Sequence, residues 1–99
     1  MEKIITSQNF EEAIKSDKPM LIDFWATWCG PCMRQGSIVE ELAKEGYQVG
    51  KVDVDKEPGL AQQFRIMSIP TILIFKNGQE IHRLVGLTSK EDLKKLMDE

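Results

Sequence analysis

The sequence has few of the residues that build disulfide-rich or metal-binding proteins. It contains two cysteines, Cys29 and Cys32, and a single histidine, His82. Two cysteines are too few for a disulfide-stabilised scaffold. A structural zinc ion takes four ligands, so a zinc site would need a carboxylate or a second subunit in addition to these three side chains. We therefore predict no metal site, keep zinc as an alternative, and treat His82 as an ordinary surface or strand residue.

The sequence also lacks a long apolar run and an excess of basic residues. A membrane-spanning helix needs about 18 consecutive apolar residues, and the longest runs here are short, such as 20–22 and 72–75. The net charge is −3 at pH 7, whereas nucleic-acid binding depends largely on neutralising phosphates. The first residues contain no apolar signal-peptide segment. We expect a cytoplasmic monomer that binds neither membranes nor nucleic acid.

The length and composition suit one domain over residues 1–99. Hydrophobic residues make up 41% of the chain and charged residues 29%, which is ordinary for a globular protein and excludes general disorder. No repeat, low-complexity tract or linker interrupts the sequence.

Hydrophobic periodicity and turn residues predict alternating strands and helices. Capping-box spacings predict that the first and last helices begin at Asn9 and Thr88. The pair Asn77-Gly78 predicts a β-hairpin. The predicted strands are 3–6, 20–25, 49–54, 71–75 and 79–85, and the better-defined helices are 33–44 and 58–64. The order predicts an α/β fold with a central mixed sheet of about five strands and about four flanking helices in three layers.

The motif Cys29-Gly30-Pro31-Cys32 has three interpretations: half of a zinc site, a structural disulfide, or a redox-active dithiol. A structural disulfide would close a very small loop, and the chain-entropy model assigns the smallest stabilisation to the smallest loops. The position before helix 33–44 favours the dithiol, because a helix N-terminus stabilises a thiolate. Pro31 suits a first helical turn, and Gly30 allows a tight turn beside an accessible sulfur. We predict that Cys29 attacks a substrate disulfide and that Cys32 resolves the mixed disulfide.

A longer segment around the cysteines, residues 24–32, reads Phe-Trp-Ala-Thr-Trp-Cys-Gly-Pro-Cys and resembles the active-site segment of thioredoxins. Further matches follow in the same order and cover nearly the whole chain: Asp23, 51–55, 69–71, 75–78 and Gly86. The resemblance implies the thioredoxin fold and protein disulfide reduction. It also implies disulfide-containing target proteins and a thioredoxin reductase or similar electron donor as partners, with no cofactor beyond the dithiol.

The resemblance also assigns roles that the residues alone leave open. Periodicity allows Asp23 to be buried or to lie at an exposed strand end, and places Lys51 on a solvated face. The resemblance implies instead that Asp23 is buried, that it exchanges a proton with Cys32, and that Lys51 is its partner. An X–Pro bond is cis in only about 5–6% of cases, but the resemblance implies a cis Ile69–Pro70 bond beside the cysteines.

An apolar surface around the dithiol is expected to contact the substrate. Its members are Trp28, Gly30, Pro31, Ile69 and Gly86. The backbone of Ile69 would pair with an extended substrate segment, as in strand addition. We interpret Trp25 mainly as a core residue.

The sequence departs from the thioredoxin pattern just after the second cysteine. Met33 and Ser37 stand where many thioredoxins have lysine and a helix-kinking proline, and the nearest cation is Arg34. These changes are expected to alter the thiolate pKa and the reduction potential. The alternative functions are a glutaredoxin-like protein, an oxidase or isomerase, and a binding module with idle cysteines. The Gly-Pro pair between the cysteines favours a reductase.

Overall fold

The computed structural model describes residues 2–99, which contain five strands and four helices in the predicted order. The elements are β1 (Glu2–Ile4), α1 (Phe10–Ala13), β2 (Met20–Trp25), α2 (Gly30–Lys44), β3 (Gln48–Asp53), α3 (Pro58–Gln63), β4 (Thr71–Lys76), β5 (Gln79–Val85) and α4 (Lys90–Met97). The α/β prediction is confirmed. Within residues 2–99, no helix has the length and apolar character needed to cross a membrane.

The strands form one mixed sheet in the order β1-β3-β2-β4-β5. β3 runs parallel to β1 and β2, whereas β4 runs antiparallel to β2 and β5. The predicted hairpin between β4 and β5 is confirmed, because Asn77 and Gly78 both have positive φ angles, 55° and 81°, as the favoured two-residue hairpin turn requires. The register of the two central strands places Asp23 opposite Lys51, which brings the two predicted partners together.

Apolar clusters cover both faces of the sheet, because alternate strand side chains point to opposite faces. The cluster on the α1 and α3 side contains the buried residues Ile5, Phe10, Ile14, Met20, Ile22, Phe24, Val52, Leu60, Leu73 and Phe75. The cluster on the α2 and α4 side contains Leu21, Val39, Leu42, Ala43, Val49, Ile72, Ile74, Leu93 and Met97. The sheet therefore lies between two helical layers, and the face under α2 is the face that carries Leu21 and Asp23.

The helix that follows the dithiol begins earlier than predicted. The sequence pattern placed 29–32 in a turn and started the helix at Met33, but α2 begins at Gly30. Cys29 is the N-cap residue, with an extended backbone conformation. Pro31 does not delay the helix, because an amide hydrogen in the first turn has no partner within the helix. The correction places Cys32 inside the first turn of α2.

Both predicted capping boxes are wrong in detail. Asn9 is the N-cap of α1, but its side chain makes no capping hydrogen bond. Its amide instead accepts from the Thr6 backbone N–H and donates to the Ile4 carbonyl, because such a side chain has competing local backbone partners. The cap of α4 is Ser89, whose hydroxyl accepts from the Asp92 N–H at 3.2 Å, one residue later than predicted.

Candidate active site

The two cysteines lie at the N-terminus of α2 and are joined by a disulfide, with their Cα atoms 5.3 Å apart. The Cys32 backbone N–H donates to the sulfur of Cys29 at 3.2 Å. The sulfur of the N-cap residue thus occupies the place of a capping oxygen, at the positive end of the helix dipole. Cys29 is 6% exposed and Cys32 1% exposed, so the first sulfur is the more accessible one.

An open cleft of about 530 Å³ borders Cys29. Its lining residues are Trp28, Cys29, Gly30, Pro31, Val54, Ile66, Met67, Ser68 and Ile69. The sulfur of Cys29 lies 3.9 Å from the carbonyl oxygen of Ile69. The Ile69–Pro70 peptide bond is cis, which confirms the predicted isomer. The structure therefore brings Trp28, Gly30, Pro31 and Ile69 together around the first cysteine.

Two large apolar side chains extend from the rim of this cleft. Trp28 is 69% exposed and Met67 is 92% exposed. The indole N–H of Trp28 donates to a carboxylate oxygen of Asp55 at 2.8 Å, which holds the ring although it faces solvent. Asp55 belongs to the segment 51–55 that matches thioredoxins, but no pattern in the sequence linked it to Trp28. Val54 and Ile66 also went unrecognised as lining residues, because no local pattern marks them.

Asp23 lies on β2, on the face that α2 covers, and is fully buried. Within residues 2–99, neither of its carboxylate oxygens has a hydrogen-bond partner. The ammonium of Lys51 is 4.0 Å away. Burial raises the pKa of Asp23 to about 7, while the charge of Lys51 opposes the rise. A buried carboxylic acid with this pKa can bind or release a proton near neutral pH.

Two further residues lie close to the ammonium of Lys51. Its ammonium lies 4.7 Å from the ring centre of Trp25, within the range of a cation–π interaction. Gly36 of α2 lies above it, and a Cβ atom at Gly36 would be 3.3 Å from the ammonium. Asp23, Lys51 and Trp25 thus form a small polar cluster beneath α2, outside the lining of the cleft.

Gly86 lies in the segment between β5 and α4, also outside the lining of the cleft. Its φ angle is 94°, a left-handed conformation in which glycine is the unstrained residue. Its backbone N–H donates to the carbonyl of Pro70 at 2.8 Å. The structure therefore connects Gly86 to the cis-proline loop.

One buried polar residue near the site was not recognised from the sequence. Gln35 is fully buried in α2, although it is a polar residue. A signal was present, because Gln35 occupies the same helical stripe as Cys32 and Val39, three residues after one and four before the other. No group of three or more His, Cys, Asp or Glu side chains within residues 2–99 is arranged to hold a metal ion.

Comparison with known proteins gives consistent matches over the whole fold. The family model described as Thioredoxin matches residues 2–99. The chain is 46% identical over 92 residues to the thioredoxin of Alicyclobacillus acidocaldarius subsp. acidocaldarius. The aligned segment covers 90% of this chain and 88% of that protein. The structure superposes with a TM-score of 0.86 on the crystal structure of a thioredoxin from Malassezia sympodialis, at 36% identity and covering 99% of this chain and 89% of that one.

A further relative carries a matching segment within a larger chain. The bifunctional thioredoxin reductase/thioredoxin of Mycobacterium leprae (strain TN) is 45% identical over 87 residues, which is 85% of this chain and 19% of that protein. In that relative, a sequence like this one is joined to a reductase.

Proposed function

This chain belongs to the thioredoxin family and is a protein disulfide reductase, and we propose that Cys29 is its attacking thiol and Cys32 its resolving thiol. The observation that carries this assignment is the N-cap position of Cys29, whose sulfur accepts the Cys32 N–H and borders the open cleft. A thiolate at this place is stabilised by the helix N-terminus. Cys32 lies deeper in the first turn, where a substrate reaches it less easily.

The proposed reaction transfers two electrons from the dithiol to a substrate disulfide. The thiolate of Cys29 attacks one substrate sulfur, which forms a mixed disulfide and releases the other substrate sulfur as a thiolate that takes up a proton. The thiolate of Cys32 then attacks the sulfur of Cys29. The bond between Cys29 and the substrate breaks, the second substrate thiol leaves, and the Cys29–Cys32 disulfide remains.

Asp23 is proposed to exchange a proton with Cys32 during the second step. Its pKa of about 7 suits a group that binds and releases a proton near neutral pH. Lys51 is proposed to tune that pKa, because its ammonium favours the ionised carboxylate. Both residues lie under the helix that carries the cysteines, which supports a role in proton transfer at that end of α2.

The cleft beside Cys29 is proposed to receive an extended segment of a disulfide-containing target protein. The backbone of Ile69 would pair with that segment as an added strand does, and Pro70 would fix the direction of the loop. Trp28, Gly30, Pro31 and Gly86 would supply the apolar surface around the sulfur.

The electron donor is proposed to be a thioredoxin reductase. The fusion of a thioredoxin reductase with a thioredoxin in the Mycobacterium leprae relative supports this partner. We further propose that residues 1–99 act as one domain, as a monomer in the cytoplasm, and that the dithiol needs no cofactor. Reduction of the protein by glutathione alone, without a flavoprotein, would contradict the proposed donor and favour a glutaredoxin-like protein.

The test of the two cysteine roles uses a pair of single variants and insulin as the protein substrate. Cys29→Ser is expected to lose insulin reduction, because no attacking thiol remains. Cys32→Ser is expected to form a mixed disulfide with insulin that persists until an added thiol releases it. Full activity in Cys29→Ser, or mixed disulfides that accumulate in that variant instead, would contradict the assignment.

The reduction potential of the cysteine pair separates a reductase from an oxidase. It is measured in dithiol buffers and read by the fluorescence of Trp28, which adjoins Cys29. A value near −270 mV, about that of thioredoxin, is expected of a reductase, and a value above about −200 mV would favour oxidase or isomerase work. The absence of any two-electron transition would favour a binding module with idle cysteines.

A further inference from the structure

Gln35 is a buried polar side chain that takes no part in the proposed disulfide exchange. It is fully buried in the second turn of α2, on the stripe that also carries Cys32 and Val39. Burying an amide costs free energy unless its hydrogen bonds are replaced. A residue of this kind in an otherwise apolar stripe calls for a specific partner.

That partner is the backbone of Thr88, which lies 53 positions later in the chain. The side-chain oxygen of Gln35 accepts the Thr88 N–H at 2.8 Å. The side-chain nitrogen donates to the Thr88 carbonyl at 3.1 Å. Because both backbone groups of one residue are held by one amide, the segment is fixed in position and in orientation, which an apolar contact does not achieve.

The hydrogen bonds continue from Thr88 to the cis-proline loop. The Thr88 hydroxyl donates to the Gly86 carbonyl at 3.2 Å, and the Gly86 N–H donates to the Pro70 carbonyl at 2.8 Å. Gln35 therefore connects the helix that carries the dithiol, through residues 86–88, to the loop beside Cys29. These three segments are the ones that the proposed docking surface contains.

We propose that Gln35 is a positioning residue that holds the segment 86–88 in place for the docking of protein substrates. A surface fixed before binding loses less conformational freedom when the partner docks. The inference rests on the proposed function, because it concerns substrates large enough to contact Gly86 and the cis-proline loop as well as the sulfur. A small disulfide that contacts only Cys29 gains nothing from this segment.

The test compares one protein disulfide with one small disulfide in the same variant. Stopped-flow fluorescence gives the second-order rate constants of the reduced protein with insulin and with the small aromatic disulfide dithiobis-nitrobenzoate. A change in thiolate reactivity alters both constants, so their ratio isolates docking. Gln35→Met keeps the volume and removes both hydrogen bonds. We expect it to lower the insulin constant about fivefold, which corresponds to about 1 kcal/mol of activation free energy, and to leave the small-disulfide constant within about twofold.

A second variant keeps the shape of the amide and makes the hydrogen bonds depend on pH. In Gln35→Glu, a protonated carboxyl group both accepts and donates, whereas an ionised one has no donor for the Thr88 carbonyl. Burial raises the pKa of such a carboxyl group. The ratio of the insulin to the small-disulfide constant is expected to fall below the wild-type ratio at alkaline pH, and to return to it as the pH is lowered. A side chain that only fills space would show no such recovery.

Val39→Ala is the matched control, because Val39 is equally buried one turn later in α2 but packs in the apolar cluster. It is expected to lower stability and to keep the wild-type ratio. Equal losses toward both substrates in Gln35→Met, or an unchanged ratio in both Gln35 variants, would overturn the proposal. If Gln35→Met does not fold, the pH dependence of Gln35→Glu decides. Wild-type protein that reduces neither disulfide would refute the proposed function instead.

Discussion

The two ends of α2 lie beside carboxylates in opposite environments, one buried without hydrogen bonds and one paired with lysines at the surface. At the N-terminal end, the helix covers Asp23, whose carboxylate has no hydrogen-bond partner within residues 2–99 and lies 4.0 Å from a single ammonium. At the C-terminal end, Glu45 forms ion pairs with both Lys90 and Lys94 of α4 at the surface. Burial raises the pKa of Asp23, whereas hydrogen bonds from the two lysines lower the pKa of Glu45.

The two halves of α2 also differ in their apolar packing. The distal half of α2 buries Val39, Leu42 and Ala43 in the cluster shared with α4. The proximal half contains a helical glycine, Gly36, and borders an open cleft with an exposed tryptophan, Trp28. The comparison indicates that the distal half stabilises the fold, while the proximal half holds groups in states that serve chemistry and reduce stability. Three substitutions test this division.

The largest effect is expected for Asp23→Asn, which removes the buried ionisable group. The pKa of Asp23 is raised from 3.8 to about 7, so the folded protein binds more protons than the unfolded chain between these values. Wild-type stability therefore falls as the pH rises through this window and levels off above it. We compare the free energy of unfolding of the variant with that of wild type at the same pH. The variant's advantage is expected to be larger at about pH 8 than at about pH 3, by on the order of 4 kcal/mol.

Urea unfolding at the two pH values measures this gain. An equal difference between variant and wild type at both values would mean that folding does not raise the pKa of Asp23. The same variant is expected to reduce insulin more slowly, because the resolving step loses its proton acceptor. An unchanged turnover would remove the catalytic role but leave the stability argument intact.

Leu42→Ala applies the opposite test at the distal end. Leu42 is fully buried, and truncation of such a leucine costs about 3 kcal/mol through lost burial and a residual cavity. Urea unfolding is expected to show this loss, while the reduction potential of the cysteine pair stays at the wild-type value. A shift in that potential would show that the two ends of the helix are coupled, and the division of labour would fail.

Gly36→Ala is expected to have the smallest effect on stability of the three substitutions. It is also expected to change the pKa of Asp23. Alanine in place of a helical glycine stabilises by about 1 kcal/mol. The new Cβ atom would lie 3.3 Å from the Lys51 ammonium, the flexible end of a side chain that can move toward solvent. Because that ammonium lowers the pKa of Asp23, its displacement is expected to raise this pKa further.

A carboxyl NMR titration of Asp23 measures the shift. Gly59→Ala is the matched control, because Gly59 is also helical and a Cβ atom there meets nothing within 4 Å beyond its chain neighbours and the backbone of its own helix. It should add similar stability and leave the pKa of Asp23 unchanged. An equal pKa in both variants would contradict the expected displacement of the Lys51 ammonium by the new Cβ atom.

The order and boundaries of the elements followed well from the sequence. β2 and β5 have the predicted bounds, 20–25 and 79–85, and the other strands differ by one or two residues. The errors came where one residue has two local choices. Asn9 bonds backward to the β1 end instead of capping α1, and the Gly-Pro pair starts α2 rather than ending a turn.

The site was predictable only in part. The motif identified Cys29 and Cys32, and the resemblance to thioredoxins supplied the burial of Asp23 and the cis bond before Pro70, since local residues allow either state. The partners of Gln35 and Trp28 had no signal in the sequence, because each lies in a connecting segment far along the chain, 53 and 27 positions away.

The sequence by itself determined where the strands and helices form and that a dithiol begins a helix. These properties depend on side-chain period, turn residues and the local demands of a helix N-terminus, all within a few positions. The tertiary structure alone decided that Asp23 is buried under α2 with the ammonium of Lys51 4.0 Å away, and that Gln35 holds the segment before α4. Such contacts depend on the order of the strands in the sheet, which brings together residues that no local pattern relates.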